Sequence, residues 1–156
     1  MRFPQIAVLL VAILSGPVAA QQTPNPVTPH YRAYREALAR GDLATADAEA
    51  TAALEASQLR DGNGGSTPAL ALNTAFVRLR EGHREQALVP AQLAATLVNG
   101  PQSHLDPLIV DIAVKRALLR LGDQSEADLL AALNTAQSHG APDEFVYDGA
   151  GLLPIV

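Results

Sequence analysis

Apolar positions recur along this chain at the spacing of an amphipathic helix. Tyr31, Tyr34 and Leu38 stand three and four residues apart, which places them on one stripe of a first predicted helix. The same kind of spacing returns five more times, with polar and charged residues between the apolar ones. Alternating runs of β-branched and aromatic residues, which would indicate strands, are missing from residues 28 to 138. The pattern therefore predicts an all-α protein with six helices.

Helix start and stop signals divide this region into three like units. A capping residue precedes a proline three times, 39 residues apart each time, at Thr28-Pro29, Thr67-Pro68 and Asp106-Pro107. The side-chain oxygen of Thr or Asp accepts an otherwise unpaired backbone N–H, and proline fits the first helical position. Each first helix is predicted to end at a glycine, because glycine adopts the left-handed conformation at low cost. These glycines are Gly41, Gly82 and Gly122. The predicted units span residues 28–66, 67–105 and 106–140.

A second helix follows each glycine, and small residues lie along its predicted buried stripe. An alanine stands five residues after every glycine, and small residues follow at four- and three-residue steps: Ala46, Ala50, Ala53; Ala87, Ala91, Ala94; Ala127, Ala131, Asn134. In the third unit we also expect Leu130 and Leu133 to be buried. Pro90 falls inside the second helix of the middle unit, where we expect a kink tolerated at the surface, the alternative being a functional hinge. Single helix pairs cannot bury their apolar faces alone, so the three pairs are expected to stack.

These helix pairs resemble tetratricopeptide repeats, or the related Sel1-type repeats, over residues 28 to 138. The resemblance is carried by the Gly41-Asp42 type of ending and by the small-residue steps after it. The chain departs from the family in its period, about 34 residues in tetratricopeptide repeats, in lacking the early aromatic and Leu-Gly pair, and in Asn134. The resemblance implies a short α-solenoid of three antiparallel helix pairs, whose concave groove, lined by the first helices, holds a protein or peptide partner.

The family register implies a set of groove side chains. When the repeat positions of the family are aligned on the glycine of each unit, seven residues are placed toward the groove: Arg32, Arg35, Asn73, Phe76, Arg80, Arg116 and Arg120. Arginine forks bind carboxylates bidentately, so an acidic or C-terminal peptide segment is the implied ligand class. A structural explanation stays open beside this one, because cations in the last turn of a helix interact favourably with its dipole. That explanation covers Arg40, Arg78, Arg80 and Arg120, and Phe76 is expected in the core.

The charge balance narrows the classes of partner. The 156 residues include 11 Lys and Arg against 16 Asp and Glu, a net charge of −5. Loss of Arg2 with a signal peptide leaves 10 basic and 16 acidic residues, or −6. An acidic chain is a poor candidate for binding the phosphates of nucleic acids. Eight of the ten remaining basic residues nevertheless lie on predicted first helices, so one face is relatively basic.

The amino-terminal residues predict export. Residues 1–20 combine a basic second residue, an apolar run from Ile6 to Leu14 and small residues up to Ala20, the pattern of a secretory signal peptide. An uncleaved membrane anchor is the alternative, but the apolar stretch is shorter than a membrane span. Residues 21–27 form a flexible leader. The chain has no cysteine, which excludes disulfides and a lipid anchor on cysteine. We expect a periplasmic or secreted protein without stable membrane insertion after cleavage.

The composition changes again in the tail, residues 141–156. Aromatic and aliphatic residues are concentrated there, and disordered tails are poor in such residues, so we expect this one to dock. The default is docking along the last helix pair at the end of the stack. The alternative is an extended segment that adds to another protein's sheet or groove. Residues 152–156 also resemble the approach to the carboxyl domain of TonB-like energy transducers.

No pattern typical of catalysis or of a cofactor site occurs in the sequence. It contains no His-Glu-x-x-His, no Gly-Lys-Ser/Thr after a glycine-rich loop and no Gly-x-Ser-x-Gly. We therefore expect no cofactor and no metal. The predicted function is an exported tetratricopeptide-type adaptor that binds protein or peptide partners without catalysis. The alternative is a helical accessory segment of a cell-envelope assembly, for example a TonB-like transducer, that makes its contacts through the tail. An envelope hydrolase is the third and least favoured hypothesis.

Overall fold

The computed structural model describes residues 23–101, 103–120 and 122–140, and this part of the chain is all-helical. Its six helices are α1 (Val27–Ala39), α2 (Leu43–Asp61), α3 (Thr67–Arg80), α4 (Arg84–Leu97), α5 (Pro107–Ala117) and α6 (Gln124–Ser138). No strand occurs among these residues. The prediction of an all-α protein is confirmed. The predicted signal peptide, the first two leader residues and the tail lie outside the described residues.

Each helix packs against the next one in chain order, and α3 also packs against α5. The larger core cluster contains residues of all six helices, from Val27 on α1 to Ala136 on α6. A smaller cluster around Tyr34, Ala37 and Val77 joins α1 to α2 and α3. The predicted small residues of the first two units are fully buried, as expected: Ala46, Ala50, Ala53, Ala87, Ala91 and Ala94. Because alanine adds little side chain between helices, these positions set close packing in the first two pairs.

The three predicted helix starts are made in three different ways. Asp106 is the N-cap of α5, and its Oδ1 accepts the N–H of Leu108 at 2.9 Å, as predicted. Thr67 is inside α3 rather than capping it, because its buried hydroxyl is bonded to Ser57 Oγ and donates to the carbonyl of Gly62. Thr28 is also inside its helix, and the preceding Asn25 accepts the N–H of Val27 at 3.0 Å instead.

The predicted glycine stops hold in two units and fail in the third. Gly41 and Gly82 have positive φ and follow directly on the caps of α1 and α3. In the third unit α5 ends at Ala117, well before Gly122, so the prediction that the first helix continues to that glycine was wrong. Gly122 lies instead in the connection to α6, with φ +83°, and its N–H donates to Glu126 Oε2 at 2.8 Å.

The buried stripe of α6 also differs from the prediction. Leu129, Ala132, Leu133 and Ala136 are buried, and of these only Leu133 was expected. Four residues expected in the stripe are exposed: Ala127, Leu130, Ala131 and Asn134. A shift of two positions turns a helix by about 200°. The longer connection between α5 and α6 permits that rotation, and it buries Leu129 in place of alanine, which removes more apolar surface from water.

Pro90 is buried within α4, so the expectation that it lies at the surface was wrong. Proline has no N–H, which leaves the carbonyl of Gln86, one turn earlier, without its helical donor. Arg78 Nη1 donates to that carbonyl at 3.1 Å. The neighbouring helix α3 therefore supplies the hydrogen bond that α4 cannot make for itself.

Among the described residues, no helix is both long and apolar enough to cross a membrane.

Candidate functional site

The seven predicted groove residues lie at very different depths. Arg32 and Arg35 on α1 are exposed, and Arg120, in the connection after α5, is exposed as well. Asn73 and Arg80 on α3 are half-buried. Phe76 and Arg116 are 7% and 2% exposed, so in this structure they contact neighbouring side chains rather than solvent. The placement of Phe76 in the core is confirmed.

The structure brings two of these residues together. The guanidinium of Arg116 on α5 lies over the ring of Phe76 on α3, 5.7 Å from its centroid. A cation over an aromatic face gains electrostatic energy, and more when both groups are removed from water. This contact joins the first helices of the second and third units. Arg32 and Arg35 belong to a separate surface, because α1 packs against α2 and meets α3 at Val77, away from α5.

Several basic side chains are engaged in bonds between helices. Arg78 Nε donates to Asp47 Oδ1 at 2.8 Å, and its Nη2 donates to Thr51 Oγ1 at 3.0 Å. With its bond to α4, this one guanidinium links α2, α3 and α4. Arg84 Nη1 donates to the carbonyl of Leu119 at 3.1 Å, which ties α4 to the connection after α5. These arginines stabilise the packing of the helices.

The helix-dipole explanation applies to fewer arginines than expected. Arg78 and Arg80 lie in the last turn of α3, as predicted. Arg40 is only the cap of α1, and Arg120 lies beyond the end of α5, whose last turn contains Lys115 and Arg116 instead. The dipole acts within the last turn, so it does not account for Arg120.

Three predicted groove arginines are available to a ligand. The guanidinium groups of Arg32, Arg35 and Arg120 make no hydrogen bond or ion pair with the part of the chain that the structure describes. On α1 they are accompanied by Tyr31, which is 39% exposed and whose ring lies 5.8 Å from that of Tyr34. Arginine and tyrosine are the residue types that contribute most at protein interfaces.

A cleft of about 670 Å³ lies where the start of α4 meets the end of α5. Its lining includes the basic side chains of His83, Arg84 and Arg120, the acidic side chain of Glu85, and apolar side chains from Leu88, Leu118 and Leu119. Leu118 is 49% exposed. Of the predicted groove residues, the lining contains only Arg120. Sequence reasoning missed this cleft because the early end of α5 creates it.

The shifted pKa values belong to structural groups. Hydrogen bonds from Thr45 hold the pKa of Asp42 below its usual value, and those from Ser125 do the same for Asp123. Both aspartates are N-caps, of α2 and α6. The pKa of Asp61 is lowered by its hydrogen bonds with Arg60. These shifts reflect helix capping and a local ion pair.

The histidines and carboxylates form separate pairs. His30 Nδ1 lies 2.8 Å from Glu49 Oε2, and His83 Nδ1 lies 3.4 Å from Glu81 Oε2. No group of three or more His, Asp or Glu side chains within the described ranges is close enough together to hold a metal ion.

No protein-family model, curated protein or solved structure matches this chain. The side chains and their geometry are therefore the grounds for assigning a function.

Proposed function

We propose that this chain is an exported, non-catalytic adaptor of the tetratricopeptide type, a short solenoid of three helix pairs that binds a protein or peptide partner. The observation that carries the proposal is the set of exposed arginines without partners among the described residues, Arg32, Arg35 and Arg120. A long exposed cation that bonds nothing contributes little to stability. Its donors are free for a carboxylate of another molecule.

The spacing of the exposed side chains on α1 suits the binding of a partner's carboxylates. Tyr31 and Arg35 are four residues apart and lie one above the other on the helix, with Arg32 beside them. An exposed aromatic ring next to two guanidinium groups offers both an apolar platform and bidentate donors. A partner segment with carboxylates three or four residues apart on a helix, or alternating on a strand, would match these donors.

The packing order supports the repeat architecture within the proposal. Helices pair with their neighbours in sequence, and the first helices α3 and α5 also touch, with Phe76 and Arg116 in contact between them. Neighbour-to-neighbour packing of this kind is typical of repeat arrays. Export rests on the composition of residues 1–20, and mass spectrometry of the chain from its native envelope should show cleavage after Ala20.

The test is partner capture by the immobilised chain from envelope extract, with quantitative mass spectrometry. Arg35→Glu should reduce the captured partner by about tenfold or more, since each lost 1.4 kcal/mol changes affinity tenfold. Arg40→Glu is the matched control, because it makes the same charge change at an exposed position five residues on, at the C-cap of α1.

Equal capture by Arg35→Glu and Arg40→Glu would refute binding through this surface. Loss of capture only after deletion of residues 143–156 would favour the accessory-segment hypothesis instead. Arg116 is unsuitable for charge reversal, because it is buried and the substitution would disturb the core.

A further inference from the structure

The cleft between α4 and α5 combines cations with apolar surface. The guanidinium of Arg120 makes no hydrogen bond with the described residues, although its charge acts on Asp123, and Arg84 uses Nη1 for the Leu119 carbonyl, which leaves its other donors. Leu118, half-exposed, and Leu88 supply the apolar part. Exposed leucine beside arginine fits a ligand that alternates carboxylates with aromatic or aliphatic side chains.

The geometry points to the chain's own tail, residues 143–153, as the occupant of this cleft. The tail contains three carboxylates, Asp143, Glu144 and Asp148, and no basic residue. Between and after them stand Phe145, Tyr147 and two leucines. Two arginines, Arg84 and Arg120, line the cleft with one carboxylate, Glu85, so the positive charge of the cleft complements the carboxylates of the tail.

The tail is long enough to reach the cleft from the end of α6. Ser125, in the first turn of α6, is hydrogen-bonded to the backbone of Arg120 at 2.9 Å, so that end of α6 lies beside the cleft. The described chain ends at Gly140, 15 residues further on, or about 22 Å along the helix. Eight extended residues, up to Asp148, reach about 26 to 29 Å. The acidic and aromatic part of the tail therefore falls at the distance of the cleft.

Charge also favours the cleft over the outer side of α6, which belongs to the last helix pair along which the sequence predicted docking. Leu130 is exposed on α6, but Glu126 lies one turn earlier on the same side of the helix, and it would repel the tail's carboxylates. The inference assigns Arg120 to the tail and leaves Arg32 and Arg35 on α1 for a partner, so tail docking can occur whether or not a partner binds at α1.

The test is a distance measurement by pulsed electron paramagnetic resonance on the full chain. Since the protein has no cysteine, two introduced cysteines, Gln124→Cys beside the cleft and Ala150→Cys in the tail, give a unique label pair. An undocked tail of ten residues has a coil dimension of about 17 Å, which combined with the 22 Å of helix gives a broad distribution near 28 Å. We expect instead a narrow distribution below about 20 Å.

Charge reversal separates docking from chance proximity. Arg120→Glu should return the distances to the broad distribution near 28 Å, while the matched Arg40→Glu should leave the narrow one. Circular dichroism shows whether each variant keeps its helices. A broad distribution in the unaltered chain, or a narrow one that survives Arg120→Glu, would overturn the inference. So would a narrow distribution that disappears on dilution with unlabelled chain, because the tail would then dock on a second copy.

Discussion

The three-way contact of Arg78 provides the sharpest test of how this fold is held together. Its guanidinium bonds Asp47 on α2, Thr51 on α2 and the carbonyl of Gln86 on α4. The side chains of Arg78 and Asp47 are only 21% and 22% exposed, so water replaces these bonds incompletely after truncation. A hydrogen bond to a charged group contributes about 1.5 to 3 kcal/mol. We expect Arg78→Ala to lower the free energy of unfolding by about 3 kcal/mol.

The matched variant is Arg78→Lys. Lysine keeps the positive charge near Asp47, but a single ammonium cannot bond three partners arranged around a planar fork. The expected loss is therefore smaller, about 1 to 2 kcal/mol. The measurement is urea unfolding followed by far-ultraviolet circular dichroism. The free energies of the two variants and the unaltered chain are compared if their m-values, the slopes of the free energy against urea concentration, are equal.

The connection between Arg78 and Pro90 is tested by a double-mutant cycle. Pro90→Ala gives residue 90 an N–H, which can donate to the Gln86 carbonyl as in an ordinary helix. In that background Arg78→Ala should cost about 1 kcal/mol less than in the unaltered chain, because the carbonyl keeps a partner. Energies that add within about 0.5 kcal/mol would refute the idea that Arg78 compensates for the proline.

Local sequence signals were sufficient for the helices and for the packing of the first two units. The small residues at Ala46 and Ala87 are buried as predicted, since periodicity and a glycine stop fix which side of a short helix faces its partner. The third unit has the same signals, yet α5 ends early and α6 is rotated. That outcome depends on whether Leu129 or Ala127 is buried, a competition between whole packing arrangements that spacing does not reveal.

The candidate site was predictable only in part. Exposure of Arg32 and Arg35 agrees with their place in the predicted register, whereas the cleft needs contacts between residues far apart in sequence. Arg84 and Leu119, which border it, are 35 residues apart. One signal was available in the sequence: Pro90 implies a carbonyl at Gln86 that lacks its helical donor and needs another one, from a neighbouring helix or from water.

Three further predictions follow from single residues. Hydrogen bonds lower the pKa of Asp42, so its contribution to stability is present above the ordinary aspartate pKa and is lost as the pH falls through the lowered value. When the free energy of unfolding in urea is measured against pH, Asp42→Asn should therefore show a smaller loss of stability at acid pH than the unaltered chain. Thr67→Val should lower the unfolding free energy by about 2 kcal/mol in urea titration, because Ser57 loses its buried partner, whereas Thr67→Ser should keep the hydrogen bond. Ala87→Leu should destabilise by about 1 to 3 kcal/mol by overpacking, but Ala127→Leu should leave the thermal midpoint nearly unchanged, since that alanine is exposed. Equal destabilisation by both leucines would mean that α6 buries the same stripe as α4, which would contradict the rotation of the third unit.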